Sequence, residues 1–308
     1  MRYYSLLALQ AIFYSTTLAH AQEIPHADDM SPGAVYTSGD RRSSAPYISG
    51  DSFRAGCDFA FDELNDYVDF SKMQKGSTIF VNADILKRFF SEIHPHIPYP
   101  YILVTHNSDH PIPGRFLPRL DDDKIIAWFG QNVSVFTKHP KLHPIPIGIA
   151  NRRWGHGNID TFQRMQKDCS SLPKSILLYG NFSRTTHPER GPMVDLFRNK
   201  PYCHFESCFK GHEEYLIDLA RSQFVLSPRG NGLDCHRTWE SLLMGSIPVV
   251  RESSLDPMYE NLPVLIIKDW NEITEEFLKK NYEEMLSKNY QTEKLYIDYW
   301  INLINSFK

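Results

Sequence analysis

The chain has 308 residues, which is enough for two ordinary domains with a substantial core. Its hydrophobic content of 42% and charged content of 23% are typical of a globular protein, and its formal net charge of −4 argues against nucleic-acid binding through bulk charge. No run reaches the ~18 apolar residues that a membrane-spanning helix needs. We therefore expect no nucleic-acid partner and no stable transmembrane anchor.

The first 52 residues are predicted to be a leader followed by a linker. Arg2 precedes a mostly apolar stretch at 6–18, and Ala19-His20-Ala21 has the small-x-small form of a cleavage site. This pattern predicts a signal peptide over 1–21, and hence an exported or secretory-lumen protein (periplasm, Golgi-like lumen or extracellular). A short amphipathic first helix is the alternative. Residues 22–52 are polar and rich in Pro, Gly and Ser, which predicts a flexible stem.

An α/β domain is predicted for residues 53–165. Helical patterns at 58–70 and 83–93 alternate with apolar runs of buried-strand length. Those runs are 78–81, 101–104, 124–129 and 142–149. Alternation of this kind is typical of a sheet covered by helices.

A second α/β domain is predicted for residues 166–308. It begins with a strand at 175–179 and helices at 190–198 and 212–221, and it ends in a helical segment, 271–308. Between them an apolar strand ends in a Pro-Arg-Gly-Asn-Gly turn, which precedes a helix that stops at Gly245 and a second apolar strand. This is a βαβ element, and its turn lies where doubly wound sheets bind ligands.

Three short motifs surround this turn: Leu226-Ser227-Pro228-Arg229-Gly230, Arg237-Thr238-Trp239-Glu240 and Gly245-Ser246-Ile247-Pro248-Val249. Together they resemble the donor-binding half of exostosin-type glycosyltransferases, closest to the branch that includes the ribitol xylosyltransferases. The resemblance covers about 100 residues, and Met244 departs from it because the pattern has a small residue there. It implies an α/β fold of GT-B type, with two Rossmann-like domains facing a central cleft and the nucleotide-sugar donor on the C-terminal domain.

Arginines and glycines around the turn are predicted to bind the donor diphosphate. Glycosyl transfer leaves negative charge on this diphosphate, and guanidinium groups bind phosphate oxygens in a bidentate way. Arg229 and Arg237 flank the turn, and the amides from Gly230 through Asn231 and Gly232 lie at a helix start. For Arg229, a solvated turn residue is the alternative.

Three further residues are predicted to contact the donor. Glu240 lies one helical turn after Arg237, and the resemblance implies that it binds the ribose hydroxyls; an ion pair with Arg237 is the alternative. Arg184 and Arg190 follow the strand that ends near Gly180. Each is either a second phosphate clamp or a surface residue.

A general base is expected near the acceptor hydroxyl, because an inverting transferase must remove a proton there. His106 and Asp109 follow a buried strand, the position where α/β folds display functional groups. Asp84 and His156 are further candidates, and loop capping is the alternative for the aspartates.

We expect no essential metal and no cofactor beyond the nucleotide-sugar co-substrate. The run Asp121-Asp122-Asp123 resembles an Asp-x-Asp metal motif, but it precedes a strand, whereas that motif follows one. A solvated turn is the preferred interpretation.

The sequence thus predicts a glycosyltransferase that moves a sugar from a nucleotide-diphosphate sugar, with UDP-sugar preferred, to a glycan or glycoconjugate hydroxyl, and the resemblance implies inversion at the anomeric carbon. One alternative is a fucosyltransferase-like enzyme that uses a GDP-sugar, although that family has Lys where this chain has Arg237. The other alternative is a non-catalytic glycan-binding protein on a degenerate transferase scaffold.

Overall fold

The computed structural model describes residues 41–135, 138–206 and 210–308. They form two five-stranded sheets, and every strand pairing within each sheet is parallel. The fold is therefore of the α/β class with Rossmann-like sheets, as the sequence predicts. The predicted signal peptide at 1–21 and residues 22–40 of the predicted stem lie outside the described residues.

The first sheet has its strands in chain order. They are β1 (Phe59–Phe61), β2 (Thr78–Asn82), β3 (Tyr101–His106), β4 (Ile125–Gly130) and β5 (Leu142–Pro144). β3 is buried along its whole length, as expected for a central strand of a parallel sheet covered on both faces. Since all five strands run the same way, the loops that follow them share one edge of the sheet.

Two predictions in this half differ from the structure. The helix predicted at 58–70 is wrong: Phe59–Phe61 pairs with β2, and Asp62 accepts the backbone N–H groups of Leu64 and Asn65, which forms a turn. The strand predicted at 142–149 ends at Pro144, because the prolines at 144 and 146 lack the N–H that a strand ladder needs.

The segment before β1 is packed against the first sheet. Tyr47 and Ile48 are each 1% exposed, and Ser49 caps a helix, α1 (Gly50–Gly56). Ile48 also accepts a backbone hydrogen bond from Ile149. Residues 41–52, assigned above to the flexible stem, are thus part of the folded body. The helix predicted at 83–93 is present as a mixed helical segment, 83–96, that contains α2 (Leu86–Arg88).

The second sheet has the order β10-β9-β8-β6-β7. Its strands are β6 (Ile176–Asn181), β7 (Cys203–Glu206), β8 (Ser222–Leu226), β9 (Ile247–Arg251) and β10 (Leu265–Ile267). The chain goes outward from β6 to β7 and then crosses to the other side of β6 to form β8. The strand order therefore reverses between β6 and β8, and this reversal is a topological switch point.

Seven helices are described in the second half. They are α3 (Ile159–Asp168), α4 (Arg190–Phe197), α5 (His212–Arg221), α6 (His236–Leu243), α7 (Asp256–Tyr259), α8 (Glu275–Leu286) and α9 (Ile297–Asn305). Gly245 follows α6 with φ +72°, so it terminates the helix in the left-handed conformation, as predicted. None of the helices in the described ranges has the length and apolar character needed to cross a membrane.

The two predicted domains, 53–165 and 166–308, contact each other through elements near the boundary and at the C-terminus. The predicted domain boundary, 165/166, falls inside α3, which contacts α5 through the Phe162 and His212 rings at 5.2 Å. The C-terminal segment returns to the first sheet, where Phe307 packs edge-on against Phe129 at 5.3 Å. One continuous apolar cluster consequently includes residues from both halves.

Candidate functional site

The switch point of the second sheet opens between the loops that follow β6 and β8. The loop after β6 (182–189) leads into α4, and the loop after β8 (227–235) leads into α6. In open parallel sheets, ligands bind in the crevice that such diverging loops leave at the carboxyl ends of the strands. Every donor-binding residue predicted from the sequence lies on these two loops or the helices that they start.

Asp234 ties the loop 227–235 to the first sheet. Its Oδ2 accepts hydrogen bonds from the backbone N–H of Ile147 at 2.8 Å and from Trp239 Nε1 at 2.9 Å. Its Oδ1 accepts from the backbone N–H of Cys235 at 2.8 Å and from the Tyr259 hydroxyl at 3.3 Å. Burial raises the pKa of Asp234 to about 6, and these hydrogen bonds oppose that rise. The loop is thereby fixed relative to both sheets.

The glycines of the turn make room for protein neighbours. A Cβ on Gly232 would lie 2.7 Å from Asn132 Nδ2, and Asn132 also accepts the backbone N–H of Asp234 at 2.9 Å. A Cβ on Gly230 would lie 3.3 Å from Arg190 Nη2. Asn231 is exposed, and its carbonyl accepts from Arg229 Nη2 at 3.1 Å. The space beside these two glycines is therefore occupied by Asn132 and Arg190.

Arg190 supports the turn from beneath. It is 6% exposed, and its guanidinium donates to the carbonyls of Arg229 at 2.8 Å and Pro228 at 3.2 Å. Burial lowers the pKa of Arg190, and Arg237 acts in the same direction. Because its donors are engaged with carbonyl groups, Arg190 positions the loop, and the alternative of a phosphate clamp is not favoured by its contacts.

Arg184 forms an exposed ion pair with Asp195. Its two terminal nitrogens bind both oxygens of Asp195 at 2.6 and 2.7 Å, and half of its side chain is exposed. This bidentate surface pair corresponds to the surface alternative that the sequence left open.

Arg237 differs from these arginines in how its guanidinium is partnered. Its guanidinium lies 5.5 Å from the centre of the Phe182 ring, and Arg190 lies at the same distance from that ring. Among the residues that the structure describes, Arg237 forms no ion pair, and its buried Nε has no hydrogen-bond partner. The alternative of an ion pair with Glu240 is thus not realised as a direct contact. A buried donor without a partner is uncommon in folded proteins.

Glu240 lies one turn further along α6 and is 5% exposed. Its Oε2 accepts a hydrogen bond from the Tyr215 hydroxyl at 3.1 Å, and its Oε1 lies 4.0 Å from His212 Nε2. Burial raises the pKa of Glu240 to about 7, while Arg237 and the Tyr215 hydrogen bond act in the opposite direction. Oε1 is therefore the atom that remains for a ligand hydroxyl.

His106, predicted as a general base, has both ring nitrogens occupied. Nε2 donates to the carbonyl of Pro146 at 3.0 Å, and Nδ1 accepts the backbone N–H of Asn107 at 2.7 Å. The side chain is 2% exposed, and burial lowers its pKa to about 4. These contacts leave no nitrogen free to take a proton from a substrate, so they correspond to a structural role.

Other histidines meet where the two halves face each other. The His156 ring lies 6.3 Å from the ring of His212 and 6.5 Å from that of His236. His236 hydrogen-bonds through Nδ1 to the carbonyl of Gly148 at 2.8 Å. Asp109, also predicted as catalytic, lies exposed in the loop after β3 and acts electrostatically on His236. His236 was not among the site residues predicted from the sequence, although it directly precedes Arg237, which was.

A cavity of about 270 Å³ lies at the carboxyl ends of β8 and β9. Its lining includes two arginines, Arg229 and Arg251, and two carboxylates, Glu189 and Glu252, and Arg251 pairs with Glu189 at 3.4 Å. Arg237, Glu240 and His236 do not line this cavity.

The acidic run 121–123 lies on the other side of the first sheet. It precedes β4, so it is at the amino edge of a parallel strand, opposite the crevice. Asp122 pairs there with His94 Nε2 at 2.8 Å. Within the described ranges, no group of three or more His, Cys, Asp or Glu side chains is placed to hold a metal ion.

These features define an α/β protein with two parallel Rossmann-like sheets and an arginine-bearing crevice at a switch point. Residues 200–307, about a third of the chain, match the family model of the RXYLT1 C-terminal domain. The match supports the ribitol xylosyltransferase-like branch that the sequence motifs resemble, and it relates this part of the chain to a glycosyltransferase family. It includes α6 with Arg237 and Glu240.

Two other comparisons add no relative. No sequence among the curated proteins matches the chain. Among solved structures, the N-terminal domain of trehalose-6-phosphate phosphatase from Candida albicans is similar at 13% identity and a TM-score of 0.37. The similarity covers 77% of this chain and 72% of that chain, and it is too low to carry a conclusion.

Proposed function

We propose that the protein is a glycosyltransferase that moves a sugar from a nucleotide-diphosphate sugar to a glycan hydroxyl. The observation that carries the proposal is the presence of Arg237 and Glu240 on α6, the helix at the switch point. Arg237 has a buried Nε without a hydrogen-bond partner, and Glu240 is buried with only its Oε2 bonded to Tyr215. The match to the RXYLT1 C-terminal domain over 200–307 supports the same class. We further propose that the two sheets are the halves of a GT-B arrangement.

The chemistry of transfer assigns roles to these groups. As the glycosidic bond breaks, negative charge grows on the leaving diphosphate, and a fixed guanidinium stabilises that charge. Arg237 supplies this cation, and it forms no ion pair with a described carboxylate that a diphosphate would have to displace. Arg229 supplies a second cation at the rim of the cavity. Glu240 Oε1 accepts a ribose hydroxyl. We prefer UDP as the nucleotide and inversion as the stereochemical course, on the branch that the motifs resemble.

Two alternatives stay open within this proposal. A GDP-sugar donor uses the same diphosphate contacts, since Arg237 and Glu240 do not contact the base in this scheme. A non-catalytic glycan-binding protein would retain the scaffold without binding a nucleotide. We also propose that the protein acts in an exported or secretory-lumen compartment and needs no cofactor beyond the donor.

Nucleotide binding tests the proposal directly. We expect calorimetry to detect UDP or GDP binding to the wild-type protein, and Glu240→Ala to weaken it about tenfold, which corresponds to about 1.4 kcal/mol. Asp121→Ala is the matched carboxylate control, because Asp121 lies at the amino edge of the first sheet and Glu240 lies on α6, beside the second sheet. A wild-type protein that binds neither nucleotide, or a Glu240→Ala variant with unchanged affinity, contradicts the assignment.

A further inference from the structure

We infer that His236 is the general base of the transfer, with Nε2 as the atom that receives the proton. The inference rests on the proposed function, because it assigns a residue to the acceptor side of that reaction. It is carried by the position of His236 beside Arg237 and by the contact that fixes its imidazole ring.

The first step of the argument is the anchored nitrogen. His236 Nδ1 lies 2.8 Å from the carbonyl oxygen of Gly148, and a carbonyl only accepts, so Nδ1 carries the ring proton. Gly148 itself is held in place: its φ is +67°, and a Cβ there would lie 2.1 Å from the Ile48 carbonyl oxygen. The carbonyl that orients the imidazole is therefore part of a tightly packed turn of the first half.

The second step is the remaining nitrogen. With Nδ1 protonated, a neutral imidazole has its lone pair on Nε2, which makes no hydrogen bond to any residue that the structure describes. The side chain is only partly buried, so a substrate hydroxyl can approach it. His106, in contrast, has both nitrogens engaged with the backbone.

The third step is location. His236 is the first residue of α6, and Arg237 follows it directly. The donor diphosphate held by Arg237 and an acceptor that enters from the first half therefore meet at this residue. The loop after β3 contributes Asp109 from the acceptor side, and its negative charge favours a protonated His236.

The surrounding charges keep the imidazole neutral before the reaction. Burial lowers the pKa of His236, and His156 across the interface and Arg237 on its own helix lower it further. The hydrogen bond to the Gly148 carbonyl and the charge of Asp109 act in the opposite direction. His106 also interacts electrostatically with His236, from the end of β3. A neutral base at neutral pH is what proton abstraction needs.

The step balances without another reactant. The acceptor O–H transfers its proton to His236 Nε2 while the hydroxyl oxygen forms a bond to the anomeric carbon. The bond from that carbon to the diphosphate oxygen breaks, and its electron pair stays on the diphosphate, beside Arg237. The imidazolium that forms faces Asp109 and later returns its proton to solvent.

His236→Asn is the test variant, because an asparagine amide N–H occupies the place of Nδ1–H and can still donate to Gly148, while the base is lost. The assay measures UDP released from UDP-glucose and UDP-xylose with water as the acceptor, together with UDP affinity by calorimetry. We expect His236→Asn to bind UDP within about twofold of wild type and to lose about 100-fold or more in kcat, the usual contribution of a general base. The ionisation on the acid limb of the pH–rate profile should disappear as well.

His110→Asn, an exposed histidine in the loop after β3, is the control and should leave both quantities unchanged. A His236→Asn enzyme with kcat within threefold of wild type overturns the inference. So does an equal loss of UDP affinity and turnover, since that indicates a binding role, and so does a wild type that binds UDP but hydrolyses neither sugar nucleotide. A wild type that binds no nucleotide defeats the proposed function itself.

Discussion

Tyr215 donates its hydroxyl to Oε2 of Glu240 at 3.1 Å and thereby joins α5 to α6 beneath the crevice. This contact uses one carboxylate oxygen and leaves the other, Oε1, facing His212 at 4.0 Å. A hydroxyl donor favours the ionised carboxylate, whereas burial favours the neutral acid. Arg237 also favours the ionised carboxylate, and the balance of burial against Arg237 and Tyr215 puts the pKa of Glu240 at about 7, so its charge changes within the physiological range.

We predict that donor affinity rises with pH between 6 and 8. Hydroxyl groups of a ribose donate to an ionised Glu240, so binding is favoured above the pKa of about 7 and weakened below it. Tyr215→Phe removes a donor to the carboxylate, which raises that pKa further and moves the rise in affinity to higher pH. Calorimetry with UDP-glucose at several pH values measures both profiles, since its diphosphate does not titrate near neutral pH. Glu240→Gln should give a flat profile, and a flat wild-type profile would contradict the role of Glu240.

Arg237→Lys should reduce turnover more than it raises KM. The contact with the leaving diphosphate strengthens as the glycosidic bond breaks, so its loss raises the barrier more than it weakens ground-state binding. An ammonium group does not reproduce the bidentate geometry of guanidinium, and we expect a loss in kcat of about 10- to 100-fold, or about 1.4–2.8 kcal/mol. Steady-state kinetics measure the split between kcat and KM.

Arg184→Lys is the matched control for that substitution, because Arg184 is engaged with Asp195 on the surface. It should leave kcat and KM within twofold of wild type. An Arg237→Lys enzyme with near-normal turnover and only a lower Tm would show instead that Arg237 supports the helix.

The strand–turn–helix–strand unit around 222–251 was predictable from the sequence because each of its parts depends on local pattern. The apolar run that forms β8, the helical spacing of Trp239 and Leu243, and Gly245 at the helix end all specify structure within a few residues. Glu240 and Arg237 were found for the same reason, since their separation of three residues fixes their relative position on α6.

The contacts between the two halves were not predictable in this way. Asp234 lies in a polar turn, where capping is the ordinary role of aspartate, yet it accepts a backbone N–H from Ile147, 87 residues away. The position of His106 after a buried strand suggested a base, and only the three-dimensional structure shows that the carbonyl of Pro146 occupies its Nε2. Long-range pairing of this kind leaves no periodic signal in the chain.

Turnover should persist in EDTA, and Asp121→Ala should leave nucleotide affinity unchanged. The run 121–123 is at the amino edge of β4, whereas Arg237 and Glu240 lie at the carboxyl edge of the other sheet. Since arginines rather than carboxylates are placed to meet the diphosphate, we expect no manganese requirement. Activity assays with EDTA, followed by added manganese, measure this. Complete loss on chelation with recovery on manganese would contradict the prediction.

Replacement of Asp234 should show how much its hydrogen bonds in the loop 227–235 contribute to the free energy of unfolding. Asp234→Ala leaves the buried N–H groups of Ile147, Cys235 and Trp239 without acceptors, and we expect it to lower the free energy of unfolding by about 3 kcal/mol or more. Denaturant unfolding monitored by tryptophan fluorescence measures that loss.

Asp234→Asn tests the ionisation of the same group, because it keeps an acceptor oxygen but never ionises. The pKa of Asp234 is raised in the folded protein from an ordinary 3.8 to about 6, so its contribution to stability is full below pH 4 and is lost as the pH rises through 6. The stability of wild type relative to Asp234→Asn should therefore fall by on the order of 3 kcal/mol between pH 4 and pH 7. Asp121→Asn, an exposed carboxylate, is the control and should show no such trend against wild type. If the difference between wild type and Asp234→Asn stays constant from pH 4 to pH 7, then Asp234 ionises in the folded protein as it does in the unfolded chain, and the hydrogen bonds that it accepts from Ile147 and Trp239 offset the whole effect of burial on its pKa.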